Sequence, residues 1–297
     1  MGIPMRKRYI QLTEELTDQD PRIITLLGEI GVFSFKPTKD KHPNQVVNMG
    51  ICEPSILSAA AGMAAEGLIP FVHTISPFIV ERAYEQIKVD LAYQHMGVNL
   101  VGIGASYDDG GLGTTHYCAG DLPALKAIPD FQIIAPGTAD EMALLMCEQY
   151  ANGVPKYFRL STQSNAESRE VTFGKATVVK KGTKAAVVAV GPLLDMVMEA
   201  VGEEDVSVLY YTTVEPFDQK TLQENCPSGK VLLCEPYYYG ALTNDVLGAF
   251  PNRDVRIAHV GVPHQFMTTY GSREQIDESV GISVENIRNV LSGLLRE

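Results

Sequence analysis

Apolar runs bounded by turn residues alternate with segments of helical periodicity along the first half of the chain. Such runs are typical of strands that are buried on both faces, and helices between them favour parallel crossover connections. Strands are predicted at 22–27, 71–75, 100–104, 131–135 and 156–160, and helices at 55–66, 81–95 and 139–151. The pattern predicts an α/β unit built on a mainly parallel sheet.

A polar stretch at 161–174 interrupts this alternation, and a second, smaller α/β unit follows it. Strands are predicted there at 185–190, 206–211, 231–234 and 255–260, with helices at 193–201 and 241–250. Because polar stretches between periodic segments are typical of linkers, we predict two three-layer domains, 1–168 and 169–297.

Composition excludes several classes of function. The 297 residues are 45% hydrophobic, which is enough for two cores, and the net charge of −12 opposes binding to nucleic acid. No apolar run approaches the roughly 18 residues of a membrane span, so no membrane association is expected. The five cysteines lack paired Cys-x-x-Cys spacing, so we predict reduced thiols, a cytoplasmic location and no metal ligands on this chain.

Three segments carry side chains suited to chemistry. A Gly-Ile-Cys-Glu run ends at Glu53, an aromatic segment reaches Phe78, and a glycine-rich loop ends at His116. Taken alone, Glu53 could be a first-turn glutamate stabilised by the helix dipole, Phe78 a core residue and His116 an ordinary loop histidine. Taken in order, the segments resemble the pyrimidine-binding domain of the transketolase family of thiamine-diphosphate enzymes. The second half resembles the transketolase C-terminal domain.

The resemblance implies roles for individual residues. Glu53 matches the glutamate that hydrogen-bonds the aminopyrimidine ring of the cofactor, and His116 matches a substrate-facing histidine. Ile75 stands where the family usually has a second aromatic residue, so the predicted pocket is less aromatic than in relatives. The residues implied to contact the cofactor are Glu53, Phe78, Ile75, Glu29 and Arg82.

Other positions depart from the family pattern and concern the substrate. Thr162 replaces an arginine that faces a terminal phosphate, Leu112 replaces an acidic residue, and Gly104 replaces a histidine. Arg6, expected ahead of the first helix, matches a phosphate-side arginine by spacing. Arg159 could have taken over that role, although its position in the strand equally favours burial. We therefore expect altered recognition of the substrate, involving His116, Arg6, Thr162 and Arg159.

The diphosphate half of the cofactor site is missing from the sequence. Relatives bind the magnesium diphosphate through a Gly-Asp-Gly run followed by Asn, and no such run occurs here. The resemblance therefore predicts the C-terminal subunit of a split transketolase-like enzyme, which binds thiamine diphosphate and Mg²⁺ together with a separate N-terminal subunit in an α2β2 heterotetramer. The predicted reaction transfers a two-carbon ketol unit from a ketose to an aldehyde in carbohydrate metabolism.

Two alternatives remain open from the sequence. One is a decarboxylating acyl transfer of the type catalysed by deoxyxylulose phosphate synthase or by the β subunits of 2-oxo-acid dehydrogenases. The other is a regulatory or scaffold subunit that keeps the fold without catalysis.

Overall fold

A computed structural model describes residues 2–296, and its first half consists of strands separated by helices. The strands are β1 (Ile23–Leu27), β2 (Val46–Asn48), β3 (Ile69–Ile75), β4 (Asn99–Ile103), β5 (Gln132–Ile134) and β6 (Lys156–Arg159). The helices are α1 (Met5–Gln19), α2 (Lys36–Lys41), α3 (Glu53–Ala65), α4 (Ser76–Val80), α5 (Tyr84–Gln86), α6 (Asp121–Leu125) and α7 (Ala139–Gln149).

The second half repeats this layout on a smaller scale. Its strands are β7 (Thr177–Lys180), β8 (Ala186–Val190), β9 (Ser207–Tyr211), β10 (Thr213–Glu215), β11 (Lys230–Tyr238) and β12 (Arg256–Val262). Its helices are α8 (Leu194–Val201), α9 (Gln219–Glu224), α10 (Thr243–Ala249), α11 (Arg273–Val280) and α12 (Val284–Arg296).

Residues 2–296 form two sheets. The first has seven strands in the order β10-β5-β6-β4-β3-β1-β2, and the second has five in the order β12-β11-β8-β9-β7. All pairings are parallel except those of β10 with β5 and of β7 with β9. The central strands are buried along their whole length because helices cover both faces, as parallel sheets require. The predicted α/β class with two mainly parallel units is therefore confirmed.

Two apolar layers lie on opposite faces of the sheets and run through both units. One contains Tyr9, Phe71 and Phe158, and the other contains Ile56 and Leu100. Each layer continues into strands of the second unit, so the two sheets share continuous packing. No helix in the described part of the chain is long and apolar enough to cross a membrane.

The single helix predicted at 81–95 is wrong. Residues 81–83 form a turn, α5 follows, and a π-helical segment covers Ile87–Ala92. The helix ends before His95, whose φ of +55° is incompatible with a right-handed helix. The apolar spacing gave no signal for this change because α and π turns place similar residues toward the core. Short π-helical stretches frequently occur near functional sites.

The edge strand β10 was not predicted. It lies in the second half of the sequence, yet it pairs antiparallel with β5 of the first sheet, joining Thr213 to Ile134. The predicted boundary between 168 and 169 stays a prediction, because the sheets and the sequence halves do not coincide fully.

Candidate active site

The candidate residues lie at one edge of the first sheet. Parallel strands bring their carboxyl ends to the same edge, where α/β proteins commonly bind ligands. Glu29 follows β1, Glu53 follows β2, Phe78 follows β3, and the loop with His116 follows β4. The connectivity of the sheet thus gathers residues that are far apart in the sequence.

Glu53 is the first residue of α3 and is almost completely buried, with 1% of its surface exposed. Its Oε2 atom accepts a hydrogen bond from Nη1 of Arg82 at 2.8 Å. Its Oε1 atom has no hydrogen-bond partner among residues 2–296. Because a buried polar atom without a partner is costly and uncommon, Oε1 is suited to a donor that a ligand would bring.

A chain of side-chain contacts begins at Glu53 and passes through Arg82 and Phe78 to His116, and we call these four residues the row. The guanidinium carbon of Arg82 lies 4.2 Å from the centre of the half-buried Phe78 ring. The rings of His116 and Phe78 make a T-shaped contact, with 5.2 Å between centroids and 69° between planes. Nδ1 of His116 lies 3.0 Å from Oγ1 of Thr115, and within residues 2–296 its Nε2 has no hydrogen-bond partner. A carboxylate, an aromatic face and an imidazole therefore follow one another along this edge.

A cavity of about 300 Å³ lies at the ends of β1, β3 and β4, and we call it the strand-end cavity. Ile75 forms part of its buried wall, and Glu29 lies at its exposed side. The Glu29 carboxylate accepts a hydrogen bond from Nδ2 of Asn48 at 2.8 Å, and its backbone N–H donates to Oδ1 of the same residue at 3.1 Å. Asn48 therefore fixes Glu29, whose φ is +66°.

Arg6 also lines the strand-end cavity, but its predicted place ahead of the first helix is wrong. It lies in the first turn of α1, and its side chain is exposed. The helix begins at Met5, directly after Pro4, which occupies the N-cap position with a φ of −57°.

His73 lies beneath the strand-end cavity, with its ring 3.0 Å from the position that a Cβ on Gly31 would take. Burial, and to a smaller extent the Arg6 guanidinium, lower the pKa of His73 to about 3, so the ring is neutral at pH 7. Nδ1 donates to the carbonyl of Val101 at 3.2 Å, and Nε2 has no partner in the described residues. His73 therefore adds no charge to the cavity, and its charged lining residues are Arg6, Glu29 and Asp109.

Two residues predicted to bind the substrate, Arg159 and Thr162, make no hydrogen bond, ion pair or ring contact with Glu53, Phe78 or His116 in residues 2–296. Arg159 is 2% exposed, and its Nε donates to Oδ2 of Asp121 at 2.7 Å. A guanidinium paired inside the protein cannot meet a substrate, so the substrate role predicted for Arg159 is not supported. Thr162 is exposed and donates its backbone N–H to Oδ2 of Asp108 at 2.8 Å. Within residues 2–296 it makes no hydrogen bond to Glu53 or His116.

Asp109 was missed by sequence reasoning. Spacing from His116 pointed to Leu112 as the relevant position, and Asp109, which comes earlier in the same loop, lines the strand-end cavity together with Leu112. A Cβ added to Gly104 would lie 2.9 Å from Oδ2 of Asp109, so the carboxylate occupies space that another residue at 104 would fill. The glycine itself was the signal that could have indicated a close approach.

The fold and this site define an α/β domain in which a buried carboxylate lies near an aromatic ring at the carboxyl ends of parallel strands. Residues 1–167, more than half of the chain, match the family described as the transketolase pyrimidine-binding domain. The chain belongs to this family, which confirms the resemblance seen in the sequence. Membership implies thiamine diphosphate as the cofactor.

Individual relatives extend along nearly the whole chain. It is 34% identical to an uncharacterized 33.6 kDa protein in the fasciation locus of Rhodococcoides fascians, over 94% of this chain and 90% of that protein. It is 26% identical to the 6-deoxy-6-sulfo-D-fructose transketolase subunit SqwH of Clostridium sp. (strain MSTE9), over 95% and 92%. A solved structure described as a split gene transketolase, inactive beta4 tetramer, shares the fold, with a TM-score of 0.87, 23% identity and 99% coverage of both chains.

Proposed function

We propose that the chain is the C-terminal subunit of a split, thiamine-diphosphate-dependent transketolase-like enzyme. Its reaction transfers a two-carbon ketol unit from a ketose donor to an aldehyde acceptor. Residues 1–168 would form the pyrimidine-binding domain and 169–297 the C-terminal domain. A transketolase subunit of similar length among the relatives supports this assignment.

The proposal depends chiefly on the free Oε1 atom of Glu53. The buried carboxylate is anchored on one side by Arg82 and lacks a donor on the other. The Arg82 guanidinium covers one face of the neighbouring Phe78 ring, and packing of a planar heterocycle on the other face would add about 0.5–1.5 kcal/mol beyond burial. These residues fit the aminopyrimidine half of thiamine diphosphate.

Each residue of the row has a distinct task in this proposal. Thiamine diphosphate, when bound, supplies the electron sink that stabilises a carbanion. Glu53 would hydrogen-bond the pyrimidine ring through Oε1, and Arg82 holds the carboxylate in place through Oε2. His116 offers Nε2 to an oxygen of the substrate and moves a proton there. Ile75 and Glu29 close the pocket on the side of the strand-end cavity.

A separate subunit would bind the diphosphate and Mg²⁺. Mg²⁺ requires several oxygen ligands in octahedral geometry, partly from the phosphates themselves. The sequence lacks the Gly-Asp-Gly run that supplies them in relatives, which supports a partner with that motif and an α2β2 assembly.

The experiment is to replace Glu53 by Gln and to assay the chain together with its partner subunit. The substitution keeps the volume and removes the transferable proton, so turnover should fall by roughly 10²-fold or more, while urea unfolding stays unchanged. Glu66→Gln, on the exposed end of the same helix, is the matched control and should retain turnover.

The same assays distinguish the proposed ketol transfer from a decarboxylating reaction and from a scaffold subunit without catalysis. Nearly normal turnover by Glu53→Gln would contradict the proposed role of the carboxylate. Release of carbon dioxide from pyruvate, without transfer from ketoses, would assign a decarboxylating reaction. Absence of both activities in the assembled wild type would favour a scaffold subunit.

A further inference from the structure

Two charged groups of the strand-end cavity have no bonding partner. Within residues 2–296, neither the Arg6 guanidinium nor the Asp109 carboxylate makes a hydrogen bond or an ion pair. Glu29, the third charged residue of the cavity, is instead held by Asn48. Since ligand pockets orient their ligands through a few polar groups, the two free groups are available to a ligand that enters the cavity.

Asp109 lies deeper than Arg6. Its Oδ2 atom is close to the backbone of Gly104 at the end of β4, and a Cβ on that glycine would also lie 3.1 Å from Cγ2 of Ile75. Ile75 and Gly104 are themselves buried. Arg6 is exposed on α1 and also lines a neighbouring surface groove with Pro4. Solvent therefore screens the positive charge of Arg6 more than the negative charge of Asp109.

The cavity is consequently net negative where it is deepest. A carboxylate there attracts hydroxyl donors, and hydrogen bonds to an ionised acceptor are stronger than neutral ones. The same carboxylate repels a phosphate, because the juxtaposition of like charges is unfavourable. Leu112 and Ile75 add apolar surface and no compensating positive charge.

We infer that Asp109 determines which substrates the cavity accepts: it hydrogen-bonds a hydroxyl group at the far end of the sugar or aldehyde and excludes a terminal phosphate. The inference rests on the proposed ketol transfer and adds the residue that sets its substrate class. The substrates are polyhydroxylated ketoses or aldehydes whose far end is an uncharged hydroxyl.

The test compares Asp109→Asn with the wild type in two measurements. Calorimetry on the full chain alone measures the affinity for inorganic phosphate, which needs no turnover. Kinetics of the assembled complex measure kcat/KM for D-xylulose and D-xylulose 5-phosphate. Asp130→Asn is the matched control, because it removes the same charge at a distant groove, and asparagine tolerates its φ of +55°.

The wild type should prefer D-xylulose. Asp109→Asn should bind inorganic phosphate about tenfold more tightly and shift the kcat/KM ratio toward the phosphorylated donor by a similar factor. Adding Arg6→Gln should remove the gain in phosphate affinity, since Arg6 is the cation left in the cavity. Asp130→Asn should behave as the wild type.

Failure of this inference and failure of the proposed function are distinguishable. A wild type that prefers the phosphorylated donor, or an Asp109→Asn variant with unchanged phosphate affinity, would overturn the role of Asp109. If no ketose is a donor while Asp109→Asn still gains phosphate affinity, ketol transfer is wrong and the anion-excluding role of Asp109 stands.

Discussion

Lys156 lies inside the first sheet on β6, with no exposed surface. In the described structure its ammonium group has one hydrogen-bond partner, the carbonyl of Val154. Burial lowers the pKa of Lys156 from 10.5 to about 7, because the interior disfavours the charged form. Between these two values the unfolded chain binds more protons than the folded chain, so stability should rise with pH across that window.

Replacing Lys156 by Met tests this linkage. Because the variant has no proton to bind, the free energy of unfolding of the wild type should increase relative to it by about 2 kcal/mol from pH 7 to pH 9. Urea unfolding at several pH values measures the difference. Lys220→Met is the control, since the Lys220 side chain is 77% exposed, and it should leave the pH dependence as it is. Parallel profiles for the wild type and Lys156→Met would contradict the assignment.

Individual residues differed in how far the sequence could predict them. The proposed role of Glu53 could be suggested from the sequence because the segments that carry Phe78 and His116 follow it in the family order, whereas the helix dipole alone would account for a first-turn glutamate. The position of Asp109 in the cavity could not be predicted from the sequence, because it depends on how the loop folds over Gly104. Arg159 had two open interpretations, and only the burial of its partner Asp121 decides between them.

At the scale of elements, a strand could be predicted from its own residues, but not when its pairing joins residues that are far apart in the sequence. The strand β8 was found because a continuous apolar run between turn residues indicates a buried strand. The three-residue strand β10 was not found, since its pairing with β5 joins residues far apart in the chain. The π-helical segment Ile87–Ala92 was missed for a local reason, as its apolar spacing resembles that of an α-helix.

The end of β6 meets α6 and β11 through Arg159. Its Nε donates to Asp121 at 2.7 Å, and its Nη2 lies 3.4 Å from the carbonyl of Pro236 in the second unit. Tyr157 also donates to Asp121, at 3.2 Å. The group holds three elements together with almost no solvent contact, so its loss should affect folding before it affects substrate binding.

Arg159→Met should therefore destabilise the protein by about 3–5 kcal/mol, because it leaves the Asp121 carboxylate buried without its counter-ion. The double variant Arg159→Met/Asp121→Asn should lose less than the sum of the two single variants, which a double-mutant cycle by urea unfolding measures. In the assembled enzyme at low temperature the KM for the substrate should stay near the wild-type value. A raised KM with unchanged stability would restore the substrate role of Arg159.

At the scale of the whole molecule, the second unit positions the loop that carries His116. The Tyr117 hydroxyl donates to the carbonyl of Thr269 at 2.7 Å, and the Thr114 hydroxyl donates to that of Met267 at 2.8 Å. Nη1 of Arg273 donates to Asp108 at 2.6 Å. The proposed catalytic residues all belong to the first unit, yet the loop between them depends on contacts with the second.

The isolated chain should bind thiamine diphosphate weakly and lack ketol-transfer activity. In the proposed complex, Glu53 and Phe78 would contact only the pyrimidine ring of the cofactor. The charged diphosphate would bind through Mg²⁺, and the sequence lacks the Gly-Asp-Gly run that binds it in relatives. Calorimetry with Mg²⁺ and thiamine diphosphate should give weak binding for the chain alone and tight binding once the partner subunit is added. Glu53→Gln should weaken the second value, because it alters the hydrogen bonding of the ring pocket. Tight, magnesium-dependent binding by the chain alone would contradict the split-enzyme proposal.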